Sequence, residues 1–304
     1  MVDESAASPP LVDPPQPLLE RPVIIIGAPR SGTSLLSWIL QGHGALMLFE
    51  EPRLTWKYGN DAKSDMLRCA DARPDVVRHI RNTFNRRMIK SSRRRMAEKT
   101  PSNALRLDFI NAVFPDARFV HIMRHGVDSV LSIESYWGRH ATGMGGKSAR
   151  RLRERLAELN LSRLPHYGME IMRRLAPAPL KGLVGQNIWG PRLPGIRGML
   201  KEMETLEIAC LQWRMCVETA CRQGRRLPPD RYREWRLEDM SRDLIRSVLE
   251  FCELEEDPGV WAQFEARYDP ALNQDRKRGE PGERTERILD LIEPTLQWLG
   301  YREG

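Results

Sequence analysis

Two glycines, Gly27 and Gly32, bracket a short turn of the kind that binds phosphate groups. The turn follows a β-branched apolar run and precedes an amphipathic stretch that begins at Thr33, an order that predicts a strand, a phosphate loop and a helix. In such loops, backbone N–H groups and the positive end of the helix bind the anion. Nucleoside-triphosphate loops carry a lysine after the second glycine, whereas this chain has Thr33 there. The cation lies within the turn instead, at Arg30, which favours one terminal phosphate-like group over ATP.

A second basic residue is predicted to reach the same place. Apolar β-branched runs alternate with helical patterns, which favours βαβ units and a mainly parallel sheet. Residues 23–27 form the first predicted strand, and residues 118–123 form another buried strand that ends next to Arg124. Ligands of open parallel sheets bind beyond the carboxyl ends of the strands. Arg30 and Arg124 are therefore expected to converge on one edge of the sheet.

The other elements complete a three-layer, P-loop-like α/β fold, in which a central, mainly parallel sheet is flanked by helices. Further helices are predicted at residues 33–41, 73–90, 103–114, 200–223, 243–252 and 284–299 and from about Val127, with a possible strand at 232–235. Residues 139–200 are rich in glycine and proline, so we expect a helical and loop insertion that covers the ligand site and sets its specificity, or otherwise a peripheral helical subdomain. We expect one domain over residues 23–304.

Four blocks in residues 23–135 resemble the sulfotransferases that use 3′-phosphoadenosine 5′-phosphosulfate (PAPS), especially the branch with the tyrosylprotein sulfotransferases and many bacterial homologues. The blocks are Pro29-Arg30-Ser31-Gly32-Thr33-Ser34, Glu50-Glu51-Pro52-Arg53, Glu98-Lys99-Thr100-Pro101-Ser102-Asn103, and Arg124 with Ser132. The C-terminal half matches only loosely. The resemblance implies direct in-line transfer of a sulfuryl group from PAPS to a hydroxyl acceptor without a metal, which leaves adenosine 3′,5′-bisphosphate (PAP).

The resemblance also implies a role for each block. The turn would bind the 5′-phosphosulfate through Arg30, Ser31, Gly32, Thr33 and Ser34, and Arg30 would also stabilise charge on the bridging oxygen. Glu51 would be the general base, and Lys99 would reach the sulfuryl and bridging oxygens. Arg124 and Ser132 would hold the 3′-phosphate.

Several of these residues have structural alternatives. Thr33 and Ser34 are suited to cap a helix, and paired glutamates are common on surfaces. His43 is a rival base, because the cytosolic branch of the superfamily uses histidine. The basic segment 276–280 faintly resembles a loop that closes over the 3′-phosphate in cytosolic relatives, but its spacing departs from that pattern and favours a mobile basic loop.

Composition narrows the class of protein. The chain has 304 residues, of which 41% are hydrophobic and 29% charged, values typical of globular proteins. Residues 1–22 contain six prolines and no apolar segment, so we expect local disorder rather than a signal peptide or membrane anchor, and a cytoplasmic protein. The five cysteines lack metal-ligand spacing, which favours reduced thiols and no metal site.

The net charge of +7 is compatible with an anionic donor or with nucleic acid. The densest basic run, residues 86–95, has few interleaved aromatics, so a solvated helix face is favoured over an anionic acceptor or membrane surface, and no nucleic-acid partner is expected. Two other functions stay open, a nucleotide-dependent kinase with a variant P-loop and a non-catalytic basic protein that binds nucleic acid or another anion such as a lipid. The acceptor is open too: a small molecule, a sugar or a tyrosyl peptide.

Overall fold

The computed structural model describes residues 17–141, 189–272 and 282–301. The strands are β1 (Val23–Ile26), β2 (Leu46–Glu50), β3 (Arg95–Lys99), β4 (Arg118–Met123) and β5 (Tyr232–Arg236). The α-helices are α1 (Thr33–Leu40), α2 (Arg53–Trp56), α3 (Pro74–Ile89), α4 (Leu107–Val113), α5 (Gly126–Ala141), α6 (Ile196–Glu202), α7 (Thr205–Gly224), α8 (Arg242–Phe251), α9 (Pro258–Arg267) and α10 (Glu283–Trp298). Short 3-10 helices lie at Pro17–Leu19, Cys69–Asp71, Pro101–Leu105, Leu237–Asp239 and Pro270–Leu272.

The five strands form one sheet in the order β2-β3-β1-β4-β5, and every neighbouring pair is parallel. The chain leaves β1 toward one edge and later crosses to the other, so the direction of the strand order reverses at β1. In open parallel sheets, ligands bind beyond the carboxyl ends of the strands at such a reversal. The predicted parallel α/β fold is confirmed, and the glycine-bracketed turn lies at this position.

The two faces of the sheet are covered separately, which produces the three layers. All of β1 is buried, and its side chains alternate between the faces, as the pleat requires. Ile24 and Ile26 belong to a core cluster with α3, α4, α5 and α7, while Val23 and Ile25 belong to one with α1, α8 and α9.

Some predicted boundaries were wrong. The helix predicted at residues 103–114 starts only at Leu107, because residues 101–105 form a 3-10 turn in which the Asn103 side chain donates to Glu98 instead of capping a helix. The helix predicted at 200–223 is two helices, since Met203 is extended and Glu204 starts α7 with a capping box to Glu207. Strands β2 and β3 were not predicted as strands.

The predicted disordered segment at residues 1–22, the insertion at 139–200 and the basic loop at 276–280 lie wholly or largely outside the described residues. No helix within the described ranges is long and apolar enough to cross a bilayer. The basic run at 86–95 is partly structural, because Arg93 and Arg95 donate to backbone carbonyls and Arg87 packs on the ring of Phe49.

Candidate functional site

The turn after β1 is closely packed against the sheet and open at the start of α1. A Cβ atom on Gly27 would lie 2.4 Å from the carbonyl oxygen of Ile122, and Gly32 has a φ of +92°, where side chains are strained. The residue that precedes α1 is Gly32, so the cap position of this helix supplies no side-chain hydrogen bond in the described part of the chain. The hydroxyl of Ser31 is buried and has no hydrogen-bond partner among the described residues. These donors and the positive end of α1 suit an anionic group.

Lys99 brings an ammonium group to this turn from the end of β3. Its Nζ donates to Ser34 Oγ at 3.2 Å, and also to Glu50 Oε1 and Glu51 Oε1, each at 3.3 Å. The Lys99 side chain is only 1% exposed, whereas those of Glu50 and Glu51 are 31% and 24% exposed. Parallel pairing of β2 with β3 sets Glu50 opposite Lys99, which explains why these groups meet. The expected base, the expected lysine and the turn therefore lie together.

Two residues of this region adopt left-handed backbone conformations without being glycine. The φ angle is +69° at Arg30 and +53° at Glu51. Such conformations cost about 1–2 kcal/mol for residues with a Cβ atom and concentrate at functional sites. At Glu51 the bend is held by backbone bonds, since its N–H donates to the Lys99 carbonyl at 2.9 Å and its carbonyl accepts from the Arg53 N–H at 2.7 Å.

The Arg53 side chain holds the other oxygen of the Glu51 carboxylate, with Nη2 at 3.1 Å from Oε2. Both Glu51 oxygens therefore have cationic partners, Lys99 on one side and Arg53 on the other. The carboxylate is oriented before any ligand binds.

A buried carboxylate, Glu98 on β3, forms hydrogen bonds with α2 and with the segment that follows β3. It accepts hydrogen bonds from Trp56 Nε1 at 3.0 Å, Thr100 Oγ1 at 2.5 Å and Asn103 Nδ2 at 2.6 Å. Burial raises the pKa of Glu98 to about 7 despite these donors. Trp56 lies shortly after Glu51 in the chain, so its hydrogen bond to Glu98 fixes the segment that carries Glu50 and Glu51.

Arg124 follows β4, as predicted, and lies at the same edge of the sheet. Its Nη2 is 3.8 Å from Oδ2 of Asp128, whose side chain is only 3% exposed. Ser132 lies two turns into α5, and its hydroxyl accepts a hydrogen bond from Arg30 Nε at 2.9 Å. In this structure Ser132 therefore contacts the turn rather than Arg124.

Among the described histidines, the rival base His43 does not lie at the site. His43 lies before β2, at the opposite end of that strand from Glu50, and both of its ring nitrogens are used: the Ala45 N–H donates to Nδ1, and Nε2 bonds to the Glu255 carbonyl. The idea that His43 lines the pocket is therefore wrong. His125 follows Arg124 directly, and its Nδ1 accepts from the N–H of Val127.

A second polar cluster, which the sequence did not predict, is buried between β4, β5 and α7. Ligand-type atoms of His121, Cys221 and Glu234 lie within 4.8 Å of one another. Glu234 is already bound by Arg225 through two bonds of 2.9 Å, and the Tyr232 hydroxyl bridges His121 and Glu234 at 2.7 and 2.9 Å. Burial lowers the pKa of His121 to about 4 and raises that of Cys221 to about 12. These partners make the cluster a structural network.

Comparisons with known proteins agree with this geometry. The model of the sulfotransferase family matches residues 22–179, just over half of the chain. The nodulation protein NoeE of Sinorhizobium fredii is 25% identical over 140 residues, which are 41% of this chain. The match spans only 33% of that relative.

Two solved structures show the same fold. The sulfotransferase domain of the Synechococcus PCC 7002 olefin synthase superposes with a TM-score of 0.52 and 16% identity, over 95% of this chain and 99% of that one. Sulfotransferase STF9 of Mycobacterium avium gives a TM-score of 0.50 and 14% identity, over 92% and 77% of the two chains.

Proposed function

Because the chain belongs to the sulfotransferase family, we propose that it transfers a sulfuryl group from PAPS to a hydroxyl acceptor by direct in-line displacement. The single observation that supports this most is the position of Lys99 Nζ, which contacts Ser34 of the turn and Glu51 of the acidic pair. A cation thus lies between the expected anion site and the expected base. In-line transfer needs this arrangement, since a base must face the acceptor while cations stabilise the departing oxygen.

The residues at the sheet edge fit the two anionic ends of PAPS. The 5′ end would lie at the turn, where Arg30, the free first turn of α1 and the buried Ser31 hydroxyl offer donors. The 3′-phosphate would lie at Arg124, with the buried Ser129 hydroxyl, which has no partner among the described groups, nearby on α5. Ser132 lies on α5 between these ends, and its contact with Arg30 joins them.

In this scheme the acceptor oxygen bonds to the sulfur of PAPS while the bond from sulfur to the bridging phosphate oxygen breaks. The electron pair of the broken bond stays on the bridging oxygen. Glu51 accepts the proton of the acceptor hydroxyl. Lys99 and Arg30 stabilise the negative charge that develops at the bridging oxygen. Arg53 keeps the Glu51 carboxylate oriented throughout, because it holds the oxygen that Lys99 does not.

Glu50 has a different role in this scheme. It shares the Lys99 ammonium with Glu51 at the same distance, 3.3 Å, but it belongs to β2 itself and lacks the left-handed bend. We therefore assign to Glu50 the positioning of Lys99 and to Glu51 the proton transfer.

Calorimetry with PAP and with Mg-ATP tests the proposed donor. We expect heat from PAP and none from Mg-ATP at equal concentration, since the turn lacks the P-loop lysine. Arg30→Ala should weaken PAP binding by about tenfold or more, the effect of losing a charged hydrogen bond. Arg246→Ala, on the exposed face of α8, is the matched control. No heat from millimolar PAP, or tighter binding of Mg-ATP, would contradict the proposal.

A further inference from the structure

One aromatic side chain, Tyr136, lies beside Arg30, and a second, Trp189, lies beside Tyr136. The guanidinium carbon of Arg30 is over the Tyr136 ring, 4.2 Å from its centre. The Tyr136 ring is in turn 5.3 Å from that of Trp189, with 32° between their planes. Both side chains are partly exposed. They form a largely apolar surface next to a guanidinium, and we call them the aromatic pair.

The position of Tyr136 on α5 places the aromatic pair beyond the sulfuryl end of the proposed PAPS site. The helix begins next to Arg124, and Ser132 and Tyr136 are four residues apart, so they share one face. At 1.5 Å per residue, Tyr136 lies about 15 Å along the axis from Gly126. In the proposed complex the donor extends from Arg124 to Arg30, and the aromatic pair therefore lies past its sulfuryl end. The acceptor of an in-line displacement must approach from that side.

Trp189 is held in place by a buried glutamine. Gln212 is 0% exposed, and its Nε2 donates to the carbonyl oxygens of Trp189 at 2.9 Å and Pro191 at 3.0 Å. Its Oε1 accepts a hydrogen bond from Trp137 Nε1 at 3.2 Å, which fixes the orientation of the amide that binds the backbone of Trp189 and Pro191. Gly190 has a φ of +81°, and a Cβ atom there would lie 2.9 Å from Gln212 Nε2.

A buried aspartate holds the other end of the same segment. Asp65 is 8% exposed, and two bonds of 2.8 Å join it to Arg192: the Arg192 N–H donates to Asp65 Oδ2, and the Asp65 N–H donates to the Arg192 carbonyl. Arg106, which is fully buried, lies 3.8 Å from the same carboxylate. Buried polar groups are costly unless they are bonded, so a segment fixed by two of them has a defined position rather than a random surface path.

From this geometry we infer that Tyr136 and Trp189 form the acceptor subsite and that the acceptor carries its hydroxyl group on a ring, either aromatic or a sugar. The inference rests on the proposed function and deepens it. Flat aromatic faces contact the faces of rings over a larger area than they contact a flexible chain, and a ring loses less conformational freedom when it binds. Arg30 lies over the Tyr136 ring, so an acceptor ring that contacts the exposed part of the aromatic pair holds its hydroxyl group near the transferred group.

The test compares ring-bearing and open-chain alcohols as acceptors of label from PAPS. The probes are 4-nitrophenol, methyl β-D-glucopyranoside and 1-hexanol at millimolar concentration. We expect kcat/KM for a ring-bearing probe to exceed that for 1-hexanol by about tenfold or more. Trp189→Ala should remove this preference, mainly through KM, and Trp189→Phe should restore most of it. Trp298→Ala, an exposed tryptophan on α10, is the matched control.

PAP calorimetry on the same variants separates the two proposals. Unchanged PAP binding by Trp189→Ala, together with the lost ring preference, supports the subsite and shows that the variant is folded. If 1-hexanol is as good an acceptor as the rings, or if Trp189→Ala weakens PAP binding and keeps the preference, the subsite is wrong while the donor site stands. Absence of PAP binding by the unmodified chain overturns the proposed function itself and the subsite with it.

Discussion

Lys99 Nζ lies 3.3 Å from Glu51 Oε1, although the two residues belong to different strand ends and are 48 positions apart in the chain. The same ammonium group also contacts Glu50 and Ser34. Before any ligand binds, the positive charge is therefore shared between the acidic pair and the phosphate turn. An anion at the turn competes with the carboxylates for it, and Glu51 is then left freer to take up a proton.

Glu51→Gln should lower kcat by about 10²–10⁴-fold, the usual contribution of a general base, with little change in PAP affinity. Glu50→Gln is the matched control, because it removes the same charge from the same ammonium at the same distance. We expect it to lower kcat less than Glu51→Gln does. Initial rates with labelled PAPS and calorimetry with PAP give the two quantities. Equal losses of kcat in the two variants would refute the division of roles.

Arg124→Ala should weaken binding of PAP by about 1.5–3 kcal/mol, the range for hydrogen bonds to charged groups. The effect should be specific to the 3′-phosphate. Adenosine 5′-phosphate, which lacks that group, should bind wild type and variant with affinities that agree within about twofold. If calorimetry shows the same loss for both nucleotides, Arg124 acts on the fold or on the 5′ end instead.

Glu98 should make the folding stability depend on pH. Its pKa is raised by burial to about 7 in the folded protein from 4.5, so between these values the folded chain keeps a proton that the unfolded chain releases. The contribution of this group is fully present below about pH 4.5 and is lost as the pH rises through 7. Relative to Glu98→Gln, wild type should therefore lose up to about 3 kcal/mol of unfolding free energy across this window.

Urea denaturation of wild type and Glu98→Gln at several pH values measures this difference. The glutamine is neutral throughout, so effects of the other titrating groups cancel in the comparison. A difference that is constant, or that shifts in favour of wild type as the pH rises, would show that Glu98 stays ionised.

Gly27→Ala should destabilise the protein by about 1–3 kcal/mol, the cost of overpacking, because the added Cβ would lie 2.4 Å from the backbone oxygen of Ile122. The turn must move to relieve the contact, so PAP affinity should fall as well. Gly198→Ala on α6 is the control, since in the described ranges nothing outside the backbone of α6 lies within 4 Å of its added Cβ atom. Denaturation midpoints and calorimetry check both effects. Normal stability in Gly27→Ala would mean that the turn is not fixed against β4.

The sequence predicted the parts of the site that are local. The β-branched run of β1, the glycines of the turn and the buried run of β4 are continuous patterns, and each was placed within a residue or two of its observed bounds. The position of Arg124 followed from β4. For β5 and α8, apolar spacing was also sufficient.

Strand β3 could not be found in this way, because its sequence RMAEK buries the charged residues Glu98 and Lys99, whereas the charged residues of β5 are at least partly exposed. Arg95 is accommodated by backbone carbonyls, and Glu98 by three side-chain donors. Arg21, Cys252 and Trp56 among these partners come from distant segments, so no local pattern reveals that the charges are buried. Without β3, no local pattern placed Lys99 next to Ser34, and only the family resemblance implied that both residues contact PAPS.

The aromatic pair could not be predicted from the sequence for a similar reason. Tyr136 and Trp189 are separated by 53 positions, and their contact depends on Gln212 and Asp65, which hold the segment after Trp189. The left-handed bends at Arg30 and Glu51 were equally invisible, since neither residue type favours that conformation.

In the proposed mechanism, those two bends set catalysis against thermal stability. A glycine or asparagine at position 30 or 51 relieves the backbone but removes a side chain to which that mechanism assigns a role. Directed evolution for heat resistance alone should therefore enrich such replacements and yield inactive proteins, as expected where active sites are kept at the expense of stability. A more heat-stable version of this enzyme therefore requires changes elsewhere, in the helical layers that cover the sheet.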